Sequence, residues 1–277
     1  MNKQPQIAIS PRGRTFAAGI NYLRVHFRDV TGATVATYHG REDGVDVAET
    51  TKTISGTTAN LYADQGWVEP AGDNYGVMTM FPKLWNAAGV SNKGLIILCR
   101  HRWAAVGGQQ TQLIVGNIVN ANGGYGLSMY VAGGIVKARV AMQKPSGGSM
   151  AQALSDSFGA EASGGDIART LCGYLDFPAY QCHVGWNGDW GNANSSAVGT
   201  GGVDYAPVTA ASWSPCLLAG TNGANVASEF LNALSGTNNV SDLLVVEDIG
   251  RIYLPEMDSI FAEYHKAPWE VPSAWRA

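Results

Sequence analysis

Residues 124–140 read GYGLSMYVAGGIVKARV, and the fold turns on how this stretch is parsed. Two short apolar runs, 125–131 and 135–142, flank Gly133-Gly134. Glycine takes the positive φ of a tight hairpin turn at no steric cost, so the stretch reads as two antiparallel strands. Working outward, similar runs occur at 76–81, 94–103 and 112–119 before it, and at 180–186, 216–220 and 240–247 after it. Many short strands with few helical patterns argue for an antiparallel sandwich. Near the start, Tyr22-Leu23-Arg24-Val25-His26-Phe27-Arg28 alternates apolar and polar residues, and Thr31-Gly32 separates it from Ala33 to Tyr38 as a hairpin partner.

Three regions break the strand rhythm. Residues 145–166 form a Gly/Ser-flanked insertion whose centre, 150–158, is expected as one short helix. Residues 186–206 form a loop rich in Asn, Gly and Ser, and long loops in compact domains are usually functional or disordered. Between Leu254 and His265, apolar residues fall at Met257, Ile260, Phe261 and Tyr264. That is helical spacing, with Pro255 and Glu256 suited to a first turn, so a short C-terminal helix is expected on the sandwich. The chain shows no 20–50-residue repeat, which removes solenoids and propellers.

Composition narrows the function classes. The 277 residues hold 18 Lys+Arg and 22 Asp+Glu, a net charge of −4. Charged residues are 14% of the chain against a usual ~25%, so a basic nucleic-acid-binding face is not expected. Apolar residues at 45% supply a core and exclude disorder. The 35 glycines, about 13% against a typical ~7%, fit a chain with many tight turns. No run approaches the ~18 apolar residues of a membrane helix. Residues 1–10, MNKQPQIAIS, lack the apolar centre of a signal peptide, so cytoplasmic synthesis without export by that route is the expectation. Cys99, Cys172, Cys182 and Cys216 match no zinc spacing and read as buried thiols, with a loop closed by Cys172 and Cys182 left open.

Charge is uneven along the chain. Up to residue 30, Lys3, Arg12, Arg14, Arg24 and Arg28 face only Asp29, whereas 41–73 runs acidic. These are either solvated faces or a basic arm docking onto an acidic partner. The expected division is an N-terminal arm or hairpin, 1–60, and a sandwich with helix and tail, 61–277.

The order of elements resembles the concanavalin A-like, laminin-G-like jelly roll of many lectins, carbohydrate-binding modules and phage virion proteins. Residues 124–131, the Gly-Gly turn and 136–140 are similar to that family's central hairpin. Tyr180-Gln181-Cys182-His183-Val184-Gly185-Trp186-Asn187-Gly188 resembles its strand followed by an Asn/Asp-Gly turn. Leu217-Leu218-Ala219-Gly220, then Leu234-Ser235-Gly236 before 240–246, and the helix from Glu256 to Tyr264, resemble its closing elements. The likeness covers about residues 75–265. The family's domain is usually shorter than this span, and nothing before residue 60 belongs to the pattern. The resemblance implies an all-β, antiparallel sandwich.

Catalytic signatures are missing from the sequence. A glycoside hydrolase needs two carboxylates about 5–10 Å apart. Glu247 and Asp248 are adjacent, so on a strand they face opposite ways, and Glu256 and Asp258 fall in the expected helix. The E-x-D-x-x-E strand of jelly-roll hydrolases does not occur. His26, His39, His101, His183 and His265 are scattered, and neither a G-x-S-x-G elbow nor a phosphate loop is present. The expectation is a non-enzymatic protein without a resident cofactor.

Binding residues are better represented. Trp186-Asn187-Gly188-Asp189-Trp190-Gly191-Asn192 places two indoles around a polar turn, the combination that stacks on a sugar face and bonds its hydroxyls. Trp186, Asn187, Asp189, Trp190 and Asn192 are therefore candidate carbohydrate contacts. The competing reading makes Trp186 a cap on the core and Trp190 loop packing. Asp189 and Asp204, with Asn192 and Asn194, are weak calcium candidates because their oxygens are hard ligands. Trp269 and Trp275 lie in a Pro-containing tail that needs a surface, its own or a neighbour's. With Arg12, Arg14, Arg24 and Arg28 they are the candidate interface residues. Low charge and extended termini, together with the resemblance, point to a bacteriophage virion subunit: a decoration, tail or baseplate-associated protein. Its expected partners are other virion proteins, further copies of itself and a host-surface glycan, with no nucleic acid and no membrane insertion. A glycan-binding receptor module is the alternative, and a glycosidase a weaker one.

Overall fold

In the computed structural model, the runs Leu95–Cys99 and Leu243–Val246 are buried at every position. Strands this uniformly apolar belong where both faces of a sheet are covered, and the topology shows what covers them. The structure describes residues 15–30, 33–53, 76–77, 93–103, 112–116, 124–132, 135–143, 150–156, 167–190, 194–196, 216–217, 220–221, 227–228, 238–268 and 270–277.

In chain order the described strands are β1 (Tyr22–Val30), β2 (Ala33–Glu42), β3 (Val45–Thr53), β4 (Gly76–Val77), β5 (Lys93–Trp103), β6 (Gln112–Gly116), β7 (Gly124–Ala132) and β8 (Ile135–Gln143). Then follow β9 (Met150–Leu154), β10 (Ile167–Asp176), β11 (Gln181–Trp186), β12 (Asn194–Ser196), β13 (Cys216–Leu217), β14 (Gly220–Thr221), β15 (Ala227–Ser228) and β16 (Asn238–Ile249). The first sheet has the order β11-β10-β5-β16-β1-β2-β3 and the second β12-β9-β8-β7-β6-β13-β4, each with seven strands, while β14 and β15 pair separately. All these pairings are antiparallel. The fold is an all-β antiparallel sandwich of the concanavalin A-like, jelly-roll type with one short C-terminal helix.

The hairpin of residues 124–143 forms as its glycines predict, β7 pairing with β8 from Gly124↔Gln143 to Ala132↔Ile135. Strand β10 shows how the first sheet serves two cores. Gly173 faces the second sheet, so close that a Cβ there would lie 2.4 Å from Val140 Cγ2 of β8. Cys172 and Tyr174, of opposite parity, join the cluster on the other face. That outer face is roofed by α1 (Met257–Lys266), which buries Met257, Ile260, Phe261 and Tyr264, the positions read from the sequence. A 10-residue helix is shorter than the ~12–15 residues that are marginal in isolation, so tertiary burial sustains it. Each such side chain contributes about 1.5–3 kcal/mol. A 3-10 turn, Leu254–Glu256, leads in with Pro255 at its start.

Two expectations change here. Residues 150–158 do not begin as a helix: Met150–Leu154 is strand β9, pairing with β8 from Gln143↔Met150 to Arg139↔Leu154. Ala151 and Ala153 are buried while Gln152 and Leu154 are half-buried, the period of a strand. Residues 22–53, set apart by the sequence as an arm or hairpin, form the β1-β2-β3 half of the first sheet, and β1 pairs with β16 from Tyr22↔Val246 to His26↔Asp242. The physical reason is that β16 has an apolar edge to complete, and Leu23 and Val25 bury fully there.

The chain's first described residues meet its last. Ala17 N–H donates to Trp275 O at 2.8 Å and Ala277 N–H to Thr15 O at 3.1 Å, on either side of a Phe16↔Arg276 bridge. Phe16 stacks on Tyr22 and on Trp275, with centroids 3.7 and 6.4 Å apart.

Candidate functional site

At the end of β11 the chain reverses through Trp186-Asn187-Gly188-Asp189. Trp186 N–H bonds Asp189 O at 3.2 Å and Asp189 N–H bonds Trp186 O at 3.1 Å. Asn187 and Gly188 both take positive φ, +52° and +80°, the left-handed pair of a type I′ turn, which is why Asn-Gly stands there. The turn is tied to β10 on one side: Asn187 N–H donates to Thr170 O at 2.8 Å, and Thr170 N–H reaches Asn187 Oδ1 at 3.4 Å. It is tied to α1 on the other, where Thr170 Oγ1 and His265 Nδ1 are 2.7 Å apart. A Cβ at Gly188 would lie 2.9 Å from His265 Cβ, and one at Gly185 would lie 2.8 Å from Asp189 O, so both glycines are required by close approach.

The side chains divide their labour. Trp190 packs against the cluster beneath α1 and stacks on His183, centroids 5.7 Å apart and planes at 25°. His183 meets the edge of Tyr174 at 6.0 Å. Burial holds the His183 imidazole below its ordinary pKa, with Asp176 opposing and Arg251 reinforcing the shift. Trp186 and Asn187 are half-buried and Asp189 is exposed; by strand parity Trp186 falls on the side of Cys182, toward the second sheet, while Trp190 lies on the side of His183, toward α1. The structure thus brings Trp186, Asn187, Asp189 and Trp190 into one rigid turn, in which Asn187 serves the backbone and one face of Trp190 serves packing. Asn192 and Asp204 lie outside the described residues. Among the described residues, no group of three His, Cys, Asp or Glu converges as a metal site.

Two expected interface residues belong to this chain's own interior. Arg24 is 3% exposed, and its Nη2 donates to Asp242 Oδ2 at 3.1 Å and to the carbonyl of Pro268. It is buried because the outer face of β1 lies beneath the chain's own C-terminal tail, so its partner is internal. Trp275 is fully buried, edge-on to Tyr253 at 5.8 Å, so the tail lies on its own sandwich. Arg28 is placed on β1 by its backbone. Arg12, Arg14 and Trp269 fall outside the described residues. Cys99, Cys172 and Cys182 are free, buried thiols. Cys172 faces the helix-side cluster whereas the Cys182 thiol donates to Ala151 O of the second sheet, so they point to opposite faces.

A polar network at one end of the first sheet was not visible in the sequence. Tyr174 O–H donates to Asp248 at 2.7 Å, Tyr253 N–H donates to the same carboxylate at 3.1 Å, and Arg251 Nη2 donates to Asp176 at 2.6 Å. Burial raises the Asp248 carboxyl, opposed by the bonds from Tyr174 and from the backbone of the turn. Asp176 also accepts from Ala179 N–H at 3.1 Å. Both aspartates staple the sheet's turns, and the only signal for this is a carboxylate closing each apolar run.

No family model matches the chain, and no curated protein matches it. Solved structures do. One is the NanB sialidase of Streptococcus pneumoniae, at 11% identity and a TM-score of 0.43 over 63% of this chain, which spans 24% of the sialidase. Another is the CBM40 of the Ruminococcus gnavus IT-sialidase, at 14% identity and 0.42, covering 66% of this chain and 90% of that one. A third is a structure from work on botulinum neurotoxin type C and two ganglioside molecules, at 9% identity and 0.43, covering 89% and 47%. Each is a similarity of chain path and assigns no ligand to this chain.

Proposed function

We propose that this chain is a non-catalytic glycan-binding sandwich whose contact point is the turn from Trp186 to Trp190. The carrying observation is the rigidity of that turn: a type I′ reversal bonded to β10 and wedged against α1, holding Asp189 exposed next to the half-buried Trp190. Binding costs less when aromatic and polar groups are already held in place, and an indole flanked by a carboxylate suits the apolar face and hydroxyls of a pyranose. This reading rests on the turn and not on the likeness to other glycan-associated structures. A glycan array tests it. Binding present in the wild type and lost in Trp190→Ala and Asp189→Ala, with melting temperatures compared alongside, is the expected result. Asp189 is exposed, so loss in that variant cannot be laid to misfolding. An array without any bound glycan refutes the reading.

A second reading, a structural subunit of a phage virion, has its own observation. Val45, Ile249 and Ile252 are large apolar side chains left exposed. The register places Val45 opposite Glu42 and Ile249 opposite Lys93, at the end of the first sheet where Tyr22 pairs with Val246. Such side chains suit contact with a neighbouring chain. The chain's detection in purified virions by mass spectrometry is the test, and its absence there sinks the idea.

A further inference from the structure

Helix α1 presses on the turn at two points. A Cβ at Gly185 would lie 2.9 Å from Phe261 Cε1, and one at Gly188 would lie 2.9 Å from His265 Cβ and 3.0 Å from both Cγ and Cδ2. Phe261 and His265 are one helical turn apart, so they stand on one side of α1 with the reversal beneath them. Phe261 is fully buried, in the cluster against which Trp190 packs, whereas His265 is exposed. The imidazole is nonetheless held in place. Its Cγ–Cδ2 edge rests on Gly188, and its Nδ1 is 2.7 Å from Thr170 Oγ1. Thr170 is itself fixed, 4% exposed and bonded through its backbone to Asn187. The ring atoms left to face solvent are Cε1 and Nε2.

We infer that His265 Nε2 is a further glycan contact, hydrogen-bonding a hydroxyl of a neutral hexopyranose seated at the turn. Packing on Gly188 asks only for a flat side chain. A ring tied at one nitrogen also presents the other at a fixed place, which lowers the ordering cost of binding. Burial, reinforced by the charge of Lys266, holds the imidazole below its ordinary pKa, so the ring is neutral at pH 7. A neutral ring offers Nε2 as donor in one tautomer and acceptor in the other, and a sugar hydroxyl answers either. Gly188 is then required twice, for its positive φ of +80° and for the room it leaves under the imidazole. The contact rests on the glycan-binding reading of the turn and supplies it with a residue from a second element, α1.

NMR titration of the full chain with the methyl glycosides of glucose, galactose and mannose, and then with the monodeoxy derivatives of the one that binds tightest, tests this. The His265 ring resonances should shift on binding, and one deoxy derivative should bind about fivefold more weakly than its parent. In His265→Ala the parent should weaken by a similar factor, and removal of that hydroxyl should then cost nothing more. His265→Gln, whose amide reaches to the place of Nε2, should restore part of the discrimination, which a merely structural role would not. Unshifted His265 resonances, or the same deoxy penalty with and without the imidazole, would overturn the contact. Where a glycoside binds and Trp190→Ala abolishes that binding, such a result refutes His265 and leaves the turn standing. No binding by any of the three overturns the contact as well, and the glycan array then judges the turn alone.

Discussion

Removing Asp242 should destabilise this protein far more than removing most surface carboxylates, and more than removing Arg24. Asp242 and Arg24 are 6% and 3% exposed, with 3.1 Å between Arg24 Nη2 and Asp242 Oδ2. Asp242 also accepts from Tyr264 O–H at 3.5 Å, and its charge acts on Arg100 as well as Arg24. Asp242→Ala leaves the Arg24 guanidinium in the interior with the Pro268 carbonyl but without its counter-charge. Breaking a buried pair in this way costs about 3–5 kcal/mol, because the remaining ion keeps its desolvation penalty. Arg24→Ala should cost about 1 kcal/mol less, since Asp242 retains the Tyr264 hydroxyl and the nearby positive charge of Arg100. Replacing both by apolar side chains, Arg24→Met with Asp242→Leu, should recover most of the loss, since an apolar pair of similar volume removes both desolvation costs. Urea unfolding followed by tryptophan fluorescence reads the effect. With a slope of about 3 kcal/mol/M, a loss of about 4 kcal/mol lowers the midpoint by about 1.3 M. A loss under about 1 kcal/mol for Asp242→Ala, or a double variant as unstable as the sum of the singles, would refute the account of a buried, mutually dependent pair.

Other expected outcomes rest on separate parts of the structure. Gly173→Ala places a methyl group 2.4 Å from Val140 Cγ2 and should cost about 1–3 kcal/mol in urea unfolding, with partial rescue by Val140→Ala. Trp275→Ala, removing a fully buried indole from the cluster with Phe16 and Tyr253, should cost about 3–5 kcal/mol and lower the thermal midpoint. His183 has its pKa depressed by burial, so the unfolded chain binds its proton more readily than the folded one. Its contribution to stability is present above the unfolded value of about 6.5 and declines as pH falls below it. NMR titration should show a neutral His183 ring at pH values where a free imidazole is half-charged, and His183→Gln should flatten stability across that window. For Asp248 the sign reverses, because burial raises its carboxyl in the folded state. Its contribution is greatest below the unfolded value of about 3.9 and is lost as pH rises through the folded one, so Asp248→Asn should flatten that acidic limb.

What could be read in advance was what local chemistry decides. Gly133-Gly134 announced the β7–β8 hairpin, and Met257, Ile260, Phe261 and Tyr264 announced the buried stripe of α1. The Asn187-Gly188 reversal was visible because few other residue pairs accept two positive φ angles. Met150–Leu154 misled because Met, Ala, Gln and Leu favour helix, and pairing with β8 overrode that propensity. Strand β10 was passed over because Gly173 interrupts its apolar run, and the need for that glycine comes from Val140 on the opposing sheet. Arg24 looked like a surface residue on a half-buried strand. Its partner lies 218 positions away, and the tail that covers it follows later still, so neither was accessible to a local pattern. In the turn, Trp190 was legible only as either a sugar platform or loop packing, because its stacking on His183 depends on how the chain folds back over β11.

The adjacency of Thr15–Ala17 and Trp275–Ala277 has an architectural consequence. A sandwich entered at Thr15 and left at Ala277, which meet across a pair of backbone hydrogen bonds, can be spliced from those two points into a loop of another protein without forcing that loop apart. A short linker could equally join Thr15 to Ala277, with the chain opened instead at the exposed Asp43-Gly44 reversal between β2 and β3. Tension applied at Thr15 and Ala277 would load the Phe16–Arg276 bridge one bond at a time, as a zipper opens, and reach the sandwich only after the Phe16–Trp275 contact had parted.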